Sequence, residues 1–508
     1  MRASRTLGLP GFSGIRAALV TAVMMGVGAC GVIELASQTP AGLQGNGDSY
    51  QPVTSADGRH VGFVTKSTNL AAGTWNPWQT GLANILRLDR SNGDVSCVSC
   101  EFASGFFRWT RSTEQLALSG NGEALVFGGD FATRCKHDRT FFNHRLGVTI
   151  SSLLIDQGFR GTGEFCSQIF RDCDVRGRPA VSDTGRFVAF VSKEDYLGEV
   201  GTDDSGGPRP DHPHDHVFLL DSSTGQFFRL SRAWYPAFPD NESCCPSISA
   251  DGQRVAFSSK ASNLVSNDTN DSWDVFVYDR GTGITTRVSV GPGGQQSNAG
   301  STGSAISSDG TLVAFESDAS NLVSGDANGK RDIFVHDLLT DQTKRVSRGW
   351  DLSDADGPSY RATISSNGVV AFVSKACNLV RGFTNDFATS QVYVYDLNLQ
   401  KTAPASVRVE PLFLYVGSRD RSRMLYGNGD SDNPTISADA RLVAFDSHAS
   451  NLLGGPLGDT NQRQDVFIYL RVDLDADNIV DDMDNCPGAW NQSQSDTDGD
   501  GIGDARDE

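Results

Sequence analysis

Short apolar segments recur along the chain in a fixed order. The segment Pro246-Ser-Ile-Ser-Ala-Asp251-Gly252 is followed by Val-Ala-Phe at 255–257 and by Val-Phe-Val-Tyr at 275–278. The same order returns after Ala305, with Val-Ala-Phe at 313–315 and Ile-Phe-Val-His at 333–336. β-Branched and aromatic runs of this length are typical of strands and are too short for helices. The pattern therefore predicts a repeated unit of β-strands.

Seven copies of this unit can be recognised from a polar turn that follows the first strand. The turns lie 58 to 72 residues apart and are centred on Asp57, Asn121, Thr184, Asp251, Asp309, Asn367 and Asp439. Asp-Gly and Asn-Gly between apolar segments predict two-residue hairpin turns, because both central positions of such a turn favour φ > 0. Four short strands cannot bury both faces alone, so units of this period stack radially as blades. An array of β-sandwiches is the alternative, but the single period without linkers disfavours it.

We therefore expect an all-β fold, a seven-bladed β-propeller of four-stranded blades over residues 30–472. The seventh unit ends after Asp465-Val-Phe-Ile-Tyr-Leu470 and lacks a fourth strand. Residues 33–37 have the pattern that precedes the other units, so we predict that they supply the outer strand of the last blade. Such closure would remove an exposed sheet edge.

The units resemble the TolB-like propeller repeat of bacterial envelope proteins over about residues 33–470. The resemblance rests on the Ile-Ser-x-Asp-Gly turn, the Val-Ala-Phe strand and the Asp-Val-Phe-Val-Tyr-Asp strand. It implies a propeller that acts as a protein-binding scaffold, a sugar binder or, occasionally, an enzyme domain. The chain differs from TolB itself, which has six repeats and a preceding α/β domain.

The N-terminus has the pattern of an export signal over residues 1–29. Arg2, Arg5 and Arg16 precede an apolar stretch at 17–29, which is too short to span a membrane as a helix. Val27-Gly28-Ala29-Cys30 resembles a bacterial lipobox, which implies acylation of Cys30; ordinary cleavage after Ala29 is the alternative. A single acyl chain anchors a protein only weakly.

Acidity is concentrated at the C-terminus. The chain carries a formal charge of −19, and residues 473–508 contain twelve acidic residues against one Arg, a net of −11. Nucleic acid and anionic membrane surfaces are poor partners for such a segment, whereas a divalent cation is a good one.

The acidic segment contains two stretches with the same spacing of oxygen ligands. Carboxylates stand at positions 1, 3, 5, 9 and 12, and a backbone carbonyl is available at position 7, as in a calcium loop. Hard oxygen ligands at this density favour Ca²⁺. The predicted ligands are Asp473, Asp475, Asp477, Ile479, Asp481 and Asp484 in the first loop, and Asp496, Asp498, Asp500, Ile502, Asp504 and Asp507 in the second. No helix-forming flanks are present.

With Asp484-Asn485-Cys486-Pro487 between the loops, residues 473–507 resemble a thrombospondin type 3 repeat. The resemblance implies calcium ligation by these aspartates, with Asn491 as a further oxygen ligand. The family usually has Cys where this chain has Arg506, so Cys486 loses the expected disulfide neighbour. A disordered acidic tail is the alternative, but evenly spaced Asp with Gly is not random acidity. Without calcium we expect this segment to be largely unfolded.

Histidines and cysteines offer weaker sites. His212, His214 and His216 form a cluster whose ligand types suit zinc or a similar ion, although a polar loop is the simpler interpretation. Ten cysteines in an exported chain favour disulfides, but no pairing can be assigned, and Cys377 is expected to be a buried free thiol. Three units carry Asp-x-Asn-x-x-x-Asp, which could bind Ca²⁺ or cap its own turn; they start at Asp268, Asp326 and Asp459.

The sequence favours binding over catalysis. It contains no Gly-x-Ser-x-Gly, His-Glu-x-x-His or phosphate-loop motif, and we expect no room for a separate catalytic domain. We therefore expect a binding or scaffold protein of the cell envelope, in the periplasm or at the outer membrane or cell surface, that engages a protein or glycan through its propeller face. A propeller lyase or glycan-active hydrolase using the histidine cluster, and a purely structural surface component, are the alternatives.

Overall fold

The fold is built of strands, as seen in a computed structural model. The structure describes residues 32–71, 83–98, 116–130, 138–144, 175–192, 214–233, 239–381, 389–408, 425–453, 459–473, 479, 483 and 492–495. Over these residues the only helical element is a single 3-10 turn at Pro292–Gly294. The described part of the chain contains no helix with the length and apolar character needed to cross a membrane.

The first half of the chain forms two four-stranded antiparallel sheets with a three-stranded sheet between them. After β1 (Val32–Leu35), the first blade contains β2 (Ser49–Thr54), β3 (His60–Thr65), β4 (Asn84–Asp89) and β5 (Asp94–Cys97). The three-stranded sheet contains β6 (Leu116–Leu118), β7 (Ala124–Asp130) and β8 (Asp138–His144). The next blade contains β9 (Val175–Val181), β10 (Phe187–Ser192), β11 (His216–Asp221) and β12 (Gln226–Arg229).

The second half of the chain forms four further blades. The first of them contains β13 (Ser243–Ile248), β14 (Arg254–Ser259), β15 (Asp274–Asp279) and β16 (Ile284–Arg287), and the second contains β19 (Ser301–Ile306), β20 (Leu312–Ser317), β21 (Asp332–Asp337) and β22 (Gln342–Arg345). The third contains β23 (Ser359–Ile364), β24 (Val369–Ser374), β25 (Gln391–Asp396) and β26 (Lys401–Pro404). The last contains β29 (Ser431–Ile436), β30 (Leu442–Ser447) and β31 (Asp465–Leu470), with β1 as its fourth strand. Two short ladders pair β17 (Val290–Gly291) with β18 (Gln295–Gln296), and β27 (Val407–Arg408) with β28 (Leu425–Tyr426).

The prediction of seven four-stranded blades is wrong, because the described residues form six. The unit around Asn121 forms the three-stranded sheet β6–β8 instead. Its third strand reads Asp-Arg-Thr-Phe-Phe-Asn-His and contains no copy of the Asp-Val-Phe-Val-Tyr-Asp motif that supplies the third strand elsewhere. Residues 145–174 separate β8 from β9, so the repeat pattern is broken where the blade would be completed.

An N-terminal strand completes the last blade. β1 pairs antiparallel with β31, with Ile33 opposite Tyr469 and Leu35 opposite Phe467. The sequence predicts this outer strand at residues 33–37, and the observed strand covers Val32–Leu35. Beyond the strand, the Ser37 hydroxyl donates a hydrogen bond of 2.5 Å to the Asp465 carboxylate. The two ends of the propeller are thus held in one sheet.

The turn after the first strand differs from the predicted two-residue hairpin. In the first blade, Ser55 N–H bonds to the His60 carbonyl, which leaves a four-residue loop. Only Gly58 adopts a left-handed conformation (φ 66°), while the Ser55 hydroxyl donates to Asp57 at 2.6 Å and accepts from His60 N–H at 2.9 Å. The Ser of the motif therefore ties the loop together, which the dipeptide signal alone did not reveal.

The core lies between neighbouring blades. In five of the six blades an aromatic ring on the second strand stacks on a ring of the third at about 6 Å, as in Phe257–Phe276 and Phe445–Phe467. Valines of one blade pack against the rings of the next: Val277 lies in one cluster with Val313 and Phe315. Burial of both sheet faces explains why these strands are almost continuously apolar.

Candidate functional site

The first strand of every four-stranded blade faces the centre of the ring and contains a β-bulge. The pairing register shifts after Tyr50, Cys244, Thr302, Tyr360 and Asp432. The next residue has a positive φ in each case: Gln51 (52°), Cys245 (60°), Gly303 (65°), Arg361 (55°) and Asn433 (50°). A non-glycine residue in this conformation costs roughly 1–2 kcal/mol. The strained residues of the inner strands therefore lie at one level of the ring.

Arg178 holds the equivalent position in β9, whose register also shifts. We call these six residues the channel ring: Gln51, Arg178, Cys245, Gly303, Arg361 and Asn433. A sequence signal for the ring exists, because Pro follows Gln51, Arg178, Cys245 and Asn433. Sequence reasoning missed it, because the repeat was aligned on its turns and strands. The side chains at this position differ from blade to blade, unlike those of the turns.

Acidic side chains satisfy the backbone groups exposed by two of the bulges. Asp446 of β30 accepts a hydrogen bond of 2.7 Å from Gln51 N–H in the next blade. Glu316 of β20 accepts one of 3.0 Å from Arg361 N–H. The two acids occupy the same position in their strands, where the other blades have Val or Ser. A buried N–H without a partner is costly, so each acid stabilises the bulge of its neighbour.

Asp446 is the centre of a buried polar network. Its carboxylate also accepts from the Asn433 amide at 2.9 Å and from the Gln464 amide at 2.9 Å. The side chain is fully buried. Burial raises the pKa of Asp446 to about 6, because the hydrogen bonds from Gln51 and Asn433 offset only part of the cost of desolvation.

Two arginines converge on Asn433. Arg361 Nη1 donates to the Asn433 side-chain oxygen at 3.3 Å and pairs with Asp432. Arg178 Nη2 donates to the same oxygen at 2.7 Å. β9 contacts β6 and β13, whereas β29 contacts β23 and β2, so Arg178 reaches across the ring. Enclosure lowers the pKa of Arg178 by desolvation, opposed mainly by the charge of Asp446, although solvent still reaches the side chain.

A cleft of about 260 Å³, which we call the channel-mouth cleft, lies beside this network. It is lined by Tyr360, Lys375, Ser390, Asp430, Asp432, His448 and Gln464. These residues adjoin the beginnings of first and third strands and the ends of second strands in two neighbouring blades. The cleft therefore opens on the face that carries the variable loops between second and third strands. Propellers and other rigid scaffolds commonly place binding residues on such loops.

Most of the predicted calcium ligands lie outside the described residues. Asp473 and Ile479 are described, and Asp475, Asp477, Asp481, Asp484, Asp496, Asp498, Asp500, Ile502, Asp504 and Asp507 are not. The lipidation site predicted at Cys30 also lies outside them. Calcium binding and acylation stay predictions.

Part of the acidic segment packs on the propeller. Ile479 and Met483 are 6% and 4% exposed and belong to the cluster between the last two blades. The Lys401 ammonium donates to the Met483 carbonyl at 3.0 Å and to the Gln494 side chain at 3.1 Å. Arg471 donates to the Ala440 carbonyl at 3.2 Å. Ala440 lies in a turn after a first strand, so the segment docks on the face opposite the cleft.

The predicted histidine cluster is only partly described. His216 opens β11 and is fully buried, in the position that Asp occupies in other blades. His214 is half-buried, and His212 lies outside the described residues. Within the described ranges no group of three His, Cys, Asp or Glu side chains is placed to hold a metal ion.

The Asp-x-Asn-x-x-x-Asp loops are closed by their own side chains. The Asn270 amide donates to Asp274 at 3.1 Å, and Asn461 donates to Asp465 at 2.9 Å. Arginines enter two of the loops: Arg287 lies 3.4 Å from Asp268, and Arg345 pairs with Asp326 at 2.7 Å, with Asp332 at 3.3 Å and with Asp354. The sequence left open whether these loops bind Ca²⁺ or cap their own turns, and these hydrogen bonds are those of capped turns.

A disulfide bond also lies at the channel ring. Cys244 and Cys245 form a disulfide between adjacent residues, on the inner strand β13. Cys97 is disulfide-bonded as well. Cys377 is half-buried and not buried as expected, and its N–H donates to Asp356 at 2.7 Å.

No family model matches this chain, and no curated protein matches it. Similar solved structures include TolB from Acinetobacter baumannii, with 13% identity, a TM-score of 0.35, and coverage of 63% of this chain and 58% of that one. An oligogalacturonate lyase from Vibrio parahaemolyticus has 10% identity, a TM-score of 0.43 and coverage of 87% and 91%. An acylaminoacyl peptidase from Pyrococcus horikoshii has 12% identity, a TM-score of 0.43 and coverage of 79% and 49%. This chain thus spans little over half of the TolB chain, and the similarity concerns the fold alone.

Proposed function

We propose that this protein is an exported binding protein whose channel-mouth cleft engages a protein or glycan ligand. The observation that carries the proposal is the concentration of polar side chains at the cleft, which a rigid ring of blades holds in place. Backbone strain at the channel ring supports it, because strained conformations cluster at functional sites. The cleft also opens on the face with the variable loops.

Binding fits the cleft better than catalysis. Ser390 is the hydroxyl closest to a catalytic arrangement, and Asp430 and His448 line the same cleft. The Ser390 hydroxyl donates to Asp430 at 2.9 Å and has no hydrogen bond to the imidazole. Burial would raise the pKa of Asp430, but hydrogen bonds from Ser390 lower it, so this carboxylate is a poor base. A nucleophilic serine needs an adjacent base, and Asp430, whose pKa is lowered, is a weak one.

Capture from envelope fractions tests the proposal. The full chain is immobilised, and bound proteins and glycans are compared with those of a Lys375→Ala/His448→Ala variant. Arg59→Ala is the matched control, because Arg59 lies in a turn on the opposite face and is half-exposed. Loss of the captured ligand in the cleft variant alone supports the proposal. Equal capture by all three proteins would contradict it.

We also propose that the acidic segment binds Ca²⁺, on the basis of its ligand spacing. The docking of Ile479 and Met483 supports an ordered segment, because a purely solvated tail would not bury these side chains. Calorimetric titration of the full chain with Ca²⁺ tests this. We expect Asp496→Ala/Asp498→Ala to lose one of two sites, while Asp341→Asn, which alters an exposed carboxylate, keeps both. Absence of calcium uptake by the unaltered chain would refute the proposal.

Export and lipid anchoring at the cell envelope belong to the same proposal. The basic and apolar pattern of residues 1–29 and the lipobox-like segment before Cys30 support them. Metabolic labelling with a radioactive fatty acid should mark the protein and should fail with Cys30→Ser. An unlabelled but exported protein would leave export intact and contradict the anchor.

A further inference from the structure

The charges around the channel ring are unevenly satisfied. The four carboxylates named at the ring and the cleft all have protein partners: Asp446 accepts three hydrogen bonds, Asp430 accepts two from Ser390, Asp432 pairs with Arg361, and Glu316 accepts from Arg361 N–H. A carboxylate with this many donors has little remaining capacity for a ligand.

The cationic side chains Arg178 and Lys375 have fewer protein partners than these carboxylates. Arg178 donates one hydrogen bond to the Asn433 oxygen, a neutral acceptor, although its guanidinium has five N–H groups. Among the described residues no carboxylate lies within ion-pair distance of Arg178 or of the half-buried Lys375 in the adjoining cleft. Other arginines of this chain show the contrast, because Arg345 is surrounded by three carboxylates. The spare hydrogen-bonding capacity at the channel mouth is therefore cationic.

A chain of hydrogen bonds connects Arg178 to the cleft, although Arg178 itself does not line it. Arg178 donates to Asn433, whose amide donates to Asp446. Asp446 also accepts from Gln464, which lines the cleft together with Lys375. Arg178 reaches across the ring from β9 to Asn433 in β29, so its side chain lies within the channel. A guanidinium presents paired donors that match the two oxygens of a carboxylate.

We propose that the channel mouth binds a small ligand through its carboxylate, with Arg178 as the bidentate partner and Lys375 as the second cation. This rests on the proposed binding function and names the ligand class. The cleft volume of about 260 Å³ is near the lower end for ligand pockets, so the ligand has the size of a single sugar or a small organic acid. Tyr360 supplies an aromatic face, and Ser390 and Gln464 supply polar contacts beside it.

Calorimetric titration of the full chain with glucuronate, succinate and glucose tests this proposal. We expect glucuronate or succinate to bind and glucose to bind at least tenfold more weakly. Preference for glucuronate over succinate identifies an acidic sugar, and the reverse preference identifies an organic acid. In Arg178→Gln the affinity for the acid should fall about 10- to 100-fold, the range for losing a charge-assisted pair. Arg59→Gln, on the opposite face, should leave it unchanged.

The variant Arg178→Lys separates loss of the ligand site from loss of folding. It keeps the charge but loses the paired donors, so it should bind more weakly than the unaltered chain and more tightly than Arg178→Gln. Equal binding of glucose and glucuronate, or equal affinities in all three proteins, would overturn the carboxylate assignment. Failure of both acids to bind would also overturn it. Capture from envelope fractions that still depends on Lys375 and His448 would then leave the proposed binding function standing.

Discussion

Removal of the Met483 side chain should weaken the docking of the acidic segment on the propeller. Met483 is 4% exposed and packs, with Ile479, into the cluster between the last two blades. Its carbonyl accepts from Lys401, and its sulfur lies 3.4 Å from the Arg471 guanidinium. Substitution by Ala leaves the backbone contact and removes only the buried side chain, so the change is confined to packing.

The free-energy cost of this substitution follows from the burial of the Met483 side chain. A buried Met→Ala change costs about 2–5 kcal/mol in a closed core, and we expect about 2 kcal/mol because this contact lies at the edge of the propeller. The loss cannot exceed the free energy of docking, since the segment can detach. Burial of two side chains contributes roughly 3–6 kcal/mol before the ordering of the chain is subtracted.

Thermal unfolding of the full chain, with and without Ca²⁺, measures this effect. Met483→Ala should lower the Tm by a few degrees, whereas Leu339→Ala, at a side chain that is 73% exposed, should change it little. If calcium orders the segment, Ca²⁺ should raise the Tm of the unaltered chain more than that of Met483→Ala. Equal Tm values for Met483→Ala and Leu339→Ala would refute the docking argument.

Three further predictions concern the propeller itself. Asp446→Asn should flatten the pH dependence of stability, because the folded pKa of Asp446, about 6, lies above its unfolded value near 3.8. The contribution of Asp446 to stability is therefore fully present below about pH 4, and up to about 3 kcal/mol of it is lost as the pH rises through 6. Urea unfolding across this range measures the effect, and an unchanged slope would contradict the burial of this charge. Arg345→Met should cost about 3–5 kcal/mol in urea unfolding, because it leaves Asp326 and its neighbours as unpaired charges, and chelation should have no such effect on this loop. Gly252→Ala should destabilise by more than about 1 kcal/mol in the same assay, since φ is 68° and a Cβ would lie 2.3 Å from the Phe187 ring; a neutral result would contradict the turn geometry.

The amino-acid sequence determined the strand content and the blade pattern of this protein. Alternating apolar segments of four to six residues favour strands wherever they occur, and the Ser-x-Asp-Gly turn joins the first two strands of each unit in a single local loop. Such local signals are carried by neighbouring residues, so they can be recognised without knowing the fold. They failed at the unit around Asn121, because recognising a turn does not ensure that all four strands follow it.

The tertiary structure decided which polar side chains meet. Arg178 and Asn433 are 255 residues apart, and Gln51 N–H and Asp446 are 395 residues apart, yet both pairs are hydrogen-bonded. The bulge at the channel ring changes the direction of one side chain on each inner strand. The local hydrophobic pattern does not predict where that side chain points. Ring closure then brings together residues that are distant in the chain. The spacing of the acidic segment suggested calcium, but only the packing of Ile479 and Met483 showed that part of this segment lies against the propeller.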